Sequence, residues 1–143
     1  RGHWKGYGSQ MVFVNENEEI LTICIEFARV PFQSGYTGRQ YRTYSIDLIN
    51  NEVLNTREIL NLYNIDSYKI LDSFNSDLID LGYVLAPGEN YSENPKKDKP
   101  FDDSFFDSIH IRLCVMDDRI GIHCDYINTG GMLWYDLKNF IKN

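Results

Sequence analysis

No run of about 18 apolar residues occurs anywhere in the chain, so no segment reads as a membrane-spanning helix. Cysteine is scarce: Cys24, Cys114 and Cys124 are odd in number and widely spaced, which fits neither a disulfide framework nor a zinc pattern. The histidines are His3, His110 and His123 alone. There is no glycine-rich phosphate loop, no paired-cysteine motif and no Ser-His-Asp signature. We therefore expect no catalytic residue, no cofactor and no metal, and a chain that is not an enzyme. Basic charge is also short, with 14 Lys and Arg against 21 Asp and Glu and a net charge of −7. Affinity for nucleic-acid phosphate comes mainly from Lys and Arg, so nucleic acid is not an expected partner. Lys96, Lys97 and Lys99 are too few and too local to change that. The acidic balance suits a basic protein partner and equally serves solubility. No signal peptide is visible; the chain opens on Arg1, so the absence decides nothing about compartment.

What is present supports a folded globule. A chain of 143 residues, 43% apolar and 14% aromatic, is long enough to bury a core as one domain. The clearest local signal is Phe106–Ile127. Ile109, Ile111, Leu113 and Val115 alternate with His110, Arg112 and Cys114, and Ile120–Tyr126 follows a short polar turn. That period of two is the pattern of a half-buried antiparallel pair. With a two-residue turn at Asp118-Arg119, Cys114 faces His123, and Cys124 points to the other side, against a disulfide. A longer turn would set the two cysteines opposite each other, so the pairing stays open, with buried free thiols the preferred reading. Cys114 and His123 suit a nucleophile pair or a metal only with an orienting third group, which the sequence does not supply, so strand packing is preferred.

Taken in order, Arg1–Ser9 reads as an irregular lead-in. Met11–Val14 and Ile20–Phe27 read as a hairpin around Asn15–Glu19, with Ile23, Ile25 and Phe27 on one strand face. Val30–Arg39 breaks into a loop. Tyr41–Ile49 alternates again, with Tyr44, Ile46 and Leu48 together, and Asn50-Asn51 marks a turn before Val53-Leu54. Asn55 or Thr56 caps a short helix, Arg57–Tyr63. Asp66 or Ser67 caps a longer one to about Leu81, on which Leu71, Phe74, Leu78 and Leu81 share a stripe and Gly82 is a suitable stop. Residues 83–103 read as a long exposed loop, and Met132–Lys142 as a closing helix. Strands separated from helices predict a single α+β domain over 1–143, a mostly antiparallel sheet of about five or six strands with two or three helices packed on one face.

Two stretches resemble one family. Gln33-Ser34-Gly35-Tyr36-Thr37-Gly38, the strand Tyr41-Arg42-Thr43-Tyr44-Ser45-Ile46-Asp47-Leu48 and the turn into Thr56–Leu62 form the first. Ile111-Arg112-Leu113-Cys114-Val115-Met116-Asp117-Asp118-Arg119-Ile120-Gly121-Ile122 and Trp134-Tyr135-Asp136-Leu137-Lys138 form the second. They resemble the domain of unknown function shared by lysozyme-binding anti-sigma-V factors and some peptidoglycan deacetylases (DUF3298, the RsiV-like C-terminal domain). Arg119 stands where that family's turn has Gly, Gln33-Ser34-Gly35-Tyr36 carries no His, and the loop between Tyr126 and Met132 is shorter than the family's. The resemblance implies an extracytoplasmic bacterial module, in the periplasm or cell envelope, that recognises a protein or a wall-associated ligand. In the lysozyme-binding branch the partner is a basic enzyme. An immunity protein that binds and neutralises a bacterial toxin is the alternative that a small, acidic, aromatic-rich domain also suits. Candidate partner-binding residues are the aromatics read outside regular elements, Trp4, Tyr7, Phe32, Tyr36, Tyr41, Tyr91 and Phe101, because Tyr and Trp in loops are interface anchors. The hairpin-tip acids Asp117 and Asp118 join them; Asp102-Asp103 reads as a turn.

Overall fold

The computed structural model describes residues 4–16, 19–31, 38–81, 101–124 and 131–143, with side chains at 19–27, 40–81, 101–124 and 131–143. The β-branched run that begins at Ile20 forms β2 (Ile20–Pro31), the centre of the first pairing. On one side lies β1 (Trp4–Glu16), antiparallel, with Val14 opposite Ile23 and Gly8 opposite Arg29. On the other lies β3 (Gly38–Asp47), with Ile20 opposite Asp47 and Arg29 opposite Gly38. The first strand thus starts at Trp4, and the expected lead-in over 1–9 is corrected: β2 runs on to Pro31 and extends the ladder to those residues. A two-residue β4 (Glu52–Val53) pairs with the end of β3. The intervening turn is built by Asp47, whose carboxylate accepts from the Ile49 and Asn50 amides at 2.9 and 3.0 Å. Asn51 takes the left-handed conformation at φ 55°, which Asn tolerates.

Helix α1 (Thr56–Leu62) opens on a capping box. Asn55 accepts from Glu58 N at 2.9 Å, and Glu58 accepts from Asn55 N at 2.8 Å, so two otherwise bare amides are satisfied. Helix α2 (Ser67–Asp80) is capped by Asp66 and buries Ile70, Leu71, Phe74 and Leu78 at helical spacing. Leu81 sits at the C-cap and is 51% exposed, so it leaves the expected stripe.

The hairpin is β5 (Ile111–Met116) and β6 (Arg119–Cys124). Its turn is Asp117-Asp118, one residue earlier than expected, because the left-handed position at φ 54° takes Asp rather than Arg. Cys114 therefore faces Gly121, and His123 faces Arg112. Ile109, read as part of the strand, precedes it and is 81% exposed. The expected closing helix is replaced by β7 (Leu133–Asp136), which pairs with β6 from Ile122↔Leu133 to Arg119↔Asp136, followed by a 3-10 turn, Leu137–Asn139. Over so short a stretch the apolar residues satisfy either period, and the open edge of β6 decides for a strand. The tail is pinned by Asp66 N to Phe140 O at 2.6 Å and Lys142 N to Asn64 O at 2.8 Å.

The molecule is a single α+β domain of two antiparallel sheets, β1-β2-β3-β4 and β5-β6-β7. The second sheet is the middle layer. Ile111, Leu113, Val115, Ile120 and Ile122 pack against Ile59, Leu60, Ile70, Phe74 and Leu78 of the helices, with Phe105 and Phe106 of the 3-10 turn Asp103–Asp107. Tyr135 fastens this layer to α2 by donating to Asp77 at 2.6 Å. The opposite face of the middle sheet presents Cys114, Met116 and Trp134 to Cys24 and Tyr41 of the first sheet. The first sheet thus buries Thr22, Cys24, Tyr41 and Ser45, while the more apolar row Ile23, Ile25 and Phe27 is only half-buried and Tyr44 is exposed. Small side chains on the inner face let the two sheets approach closely.

Candidate functional site: the cleft between two sheet edges

The site begins with the shortness of β4. Only Ile46 and Asp47 of β3 pair with it, so from Ser45 back towards Tyr41 no described strand covers that edge of β3. Two hydrogen bonds give the phase of the edge. Leu48 N donates to Glu19 O at 2.7 Å, on the β2 side, and Leu54 N donates to Ser45 O at 2.8 Å, on the outer side. Alternation along an antiparallel strand then turns the backbone groups of Tyr41 and Thr43 outwards. On β5 the same logic holds. Ile111 N bonds Ser108 O at 3.4 Å, away from β6, so Leu113 also directs its N–H and C=O to the outer edge.

These two edges border a cleft of about 540 Å³, floored by Ile59 and Phe106 and within the size range of ligand sites, roughly 300–1,000 Å³. One end is closed by Arg112, which donates through Nε to Tyr41 O at 3.2 Å and through Nη1 to Ile109 O at 2.7 Å. The other end is closed by the Leu54–Ser45 bond. Exposed Arg42 and Tyr44 stand on the β3 rim, with Arg42 Nη1 donating to Tyr41 O at 3.1 Å.

Arg57 on the helix rim is held by Asp107 through Nε at 2.8 Å and Nη2 at 3.1 Å, and by Asp103 through Nη2 at 2.9 Å. It also donates to Asp103 O at 2.6 Å and lies 5.7 Å from the centre of the Phe106 ring. Its guanidinium holds the Asp107 carboxyl below the usual range, and the two carboxylates raise Arg57 in turn. The lining carries the guanidiniums of Arg42, Arg57 and Arg112 and the carboxylate of Asp107.

The expected partner-binding residues do not gather here. Tyr41 is 3% exposed and belongs to the core: its hydroxyl donates to Glu26 Oε2 at 2.6 Å and accepts from Met132 N at 3.0 Å, and its ring lies 4.7 Å from that of His123. Phe101 is also corrected from interface to packing. It stacks on Phe105 at 4.4 Å, and buried Asn75 holds its backbone by Nδ2 to Phe101 O at 2.9 Å and Phe101 N to Oδ1 at 3.1 Å. Asp117 and Asp118 are exposed at the hairpin tip, where Asp118 O accepts from Leu137 N at 2.8 Å. The side chains of Trp4 and Tyr7, and Phe32, Tyr36 and Tyr91 altogether, lie outside the described residues.

Cys24, Cys114 and Cys124 are free and buried. Cys114 faces the first sheet and Cys124 the helices, which answers the open question of their pairing: they sit on opposite faces of the middle sheet. The neighbouring Cys24 thiol and burial push the Cys114 thiol up, and Cys114 with His123 packs between the sheets. Among the described residues no cluster of His, Cys, Asp or Glu is placed to hold a metal, and no helix is long and apolar enough to cross a membrane.

Arg42, Arg57 and Arg112 were not legible as a group. They are isolated in sequence and meet only because three separate elements border one cleft. No family model matches the chain and no curated protein matches it. The resemblance to the RsiV-like domain rests on its motifs alone.

Proposed function

We propose that the chain is a non-enzymatic recognition module of a bacterial extracytoplasmic protein, and that it receives a protein or wall-associated ligand in the cleft between β3 and β5. The observation that carries this reading is the cleft itself: two sheet edges that border a volume of about 540 Å³, rimmed by Arg42, Tyr44, Arg57 and Arg112. Arg and Tyr are the residue types that dominate binding energy at interfaces. The resemblance to the RsiV-like domain supplies the partner class. The net charge of −7 suits association with a basic protein, while exposed Arg42 at the cleft rim is the guanidinium placed to receive a carboxylate from the segment that enters, Arg57 being paired with Asp103 and Asp107.

The test uses the purified domain as immobilised bait, with lysozyme and soluble muropeptides as probes, at low and at physiological salt. Retention of either probe is expected, and the double variant Arg42→Ala/Tyr44→Ala is expected to lose it at least tenfold. Asp118→Ala, at the hairpin tip and outside the cleft lining, is expected to bind as the parent does. Retention of neither probe, or equal retention by the cleft variant, overturns the proposal.

A further inference from the structure

We propose that Cys24 of β2 and Cys114 of β5 form an inter-sheet dithiol, a modification site that a small oxidant of the peroxide class closes to a reversible disulfide, with Cys124 left outside it. The pair lies between the two sheets, apart from the residues that line the cleft, and stands whether or not the cleft binds a ligand.

Strand alternation puts Cys24 on the inner face of the first sheet, where it is buried with Thr22, while Ile23 and Ile25 on the other face are half-buried. Cys114 lies on the face of the middle sheet turned towards it, with its sulfur 3.7 Å from Met132 Sδ. β2 and β5 come within 8 Å of each other between Cα atoms, and the two thiols are hydrogen-bonded. That bond holds Cys24 below the ordinary thiol value and, with burial, holds Cys114 above it. Thiols already in contact across facing strands need only a small rotation and approach to reach bonding geometry. The third cysteine is excluded, because Cys124 packs with the helices on the opposite face of the middle sheet.

Both sulfurs are closed to solvent, Cys24 at 1% and Cys114 at 0% exposure, so the oxidant that suits them is hydrogen peroxide, little larger than water. The Cys24 sulfur, the readier of the two to lose its proton, attacks one peroxide oxygen. The O–O bond breaks, the departing hydroxide takes the Cys24 proton and leaves as water, and a sulfenic acid stands on Cys24. The Cys114 sulfur then attacks the Cys24 sulfur, the S–O bond breaks, and the leaving hydroxide takes the Cys114 proton. Two thiols and one peroxide thus give one disulfide and two waters, with two electrons passing from sulfur to oxygen. The new bond closes a loop of about 90 residues, and so long a loop takes much entropy from the unfolded chain. It ties β2 to β5 beside the Tyr41–Met132 hydrogen bond, between the sheets whose edges border the cleft.

The experiment takes the whole reduced chain in two samples, one treated folded with hydrogen peroxide and one refolded from urea in a glutathione redox buffer. Both are alkylated with iodoacetamide in denaturant and digested with trypsin. Cleavage after Arg29, Arg112, Arg119 and Lys138 puts the three cysteines in separate peptides. The expected result is a chain lighter by two hydrogens before alkylation, alkylation at Cys124 alone, and a peptide joining Cys24 to Cys114 that dithiothreitol separates. The thermal midpoint is expected to rise by roughly 8–16 °C and to fall back on reduction. Cys124→Ala is expected to keep the bond and the rise, and Cys24→Ala to lose both; the peptide map of the parent chain gives the answer without a variant that has to fold. Three alkylated thiols in both samples overturn the proposal. So does a disulfide that includes Cys124, or a sulfinic acid on Cys24 with Cys114 still open to alkylation. A Cys24–Cys114 bond in the refolded sample alone supports the pair and overturns the peroxide route to it.

Discussion

Removing one oxygen from Tyr41 tests how the two sheets are joined. In Tyr41→Phe the ring keeps its place against His123, so packing is conserved and the hydroxyl alone is deleted. Two bonds go with it. The first is the 2.6 Å donation to Glu26, a hydrogen bond to a charged acceptor of about 1.5–3 kcal/mol. The second is the 3.0 Å bond accepted from Met132 N, whose loss leaves an amide bare in a residue only 8% exposed and costs about 1–3 kcal/mol. Glu26 is half-buried and recovers part of the first term from water, so the sum is about 2–4 kcal/mol. At this chain length each kcal/mol moves the thermal midpoint by about 4 °C, so a fall of roughly 8–16 °C is expected. The assay is urea unfolding followed by circular dichroism, with calorimetry for the midpoint. Glu26→Gln keeps a neutral acceptor and should lose only about 1 kcal/mol. A Tyr41→Phe variant within about 0.5 kcal/mol of the parent would refute the assignment of Tyr41 as the polar tie between the sheets.

Asn75→Leu keeps the branched shape, though with a bulkier side chain, and strips both bonds from the Phe101 backbone; a loss of about 2–3 kcal/mol by urea unfolding is expected, and a neutral result would show that water replaces the amide. Gly121 is the place where β6 meets Met132 and Trp134: an added Cβ would collide with Met132 Sδ and lie 2.9 Å from the Trp134 ring. Gly121→Ala should cost about 1–3 kcal/mol, and Met132→Ala in the same chain should recover part of it; additivity of the two losses would refute the clash. Arg57 depresses Asp107 below its ordinary value of 3.8, so this carboxylate stabilises the fold above that value, and the contribution is lost as pH falls through the lower, folded-state pKa. In Arg57→Met the acid limb of the stability–pH curve should therefore flatten, and an unchanged limb would assign it to other carboxylates. All three thiols are buried, so maleimide should label the native chain far more slowly than free cysteine and label three sites after unfolding; prompt native labelling would contradict the sheet packing.

Interactions between near neighbours in the chain were legible before any tertiary contact was known. Asn55 with Glu58, Asp66 before α2, Asn50-Asn51 and the alternation through Leu113 and Ile122 act over a few residues, and each is observed. The exchange of a C-terminal helix for β7 shows where local reading stops. Leu133, Trp134 and Tyr135 fit an apolar stripe of either period, and only the free edge of β6 selects the strand. Tyr41 and Phe101 were misread for a related reason. Aromatic residues beside loops are interface anchors when exposed and core when covered, and what covers them comes from Met132 and Asn75, distant in sequence.

The amino-acid sequence by itself determined the fold class, the capped helices and the strand alternation, because capping, turn preference and periodicity are short-range properties of the chain. Tertiary structure alone decided that the strands divide into two sheets, which face of the first sheet is buried, and that Arg42, Arg57 and Arg112 border one cleft. The last of these depends on an edge of β3 that no described strand covers once β4 stops after two residues, and such an edge is a property of the assembled sheets.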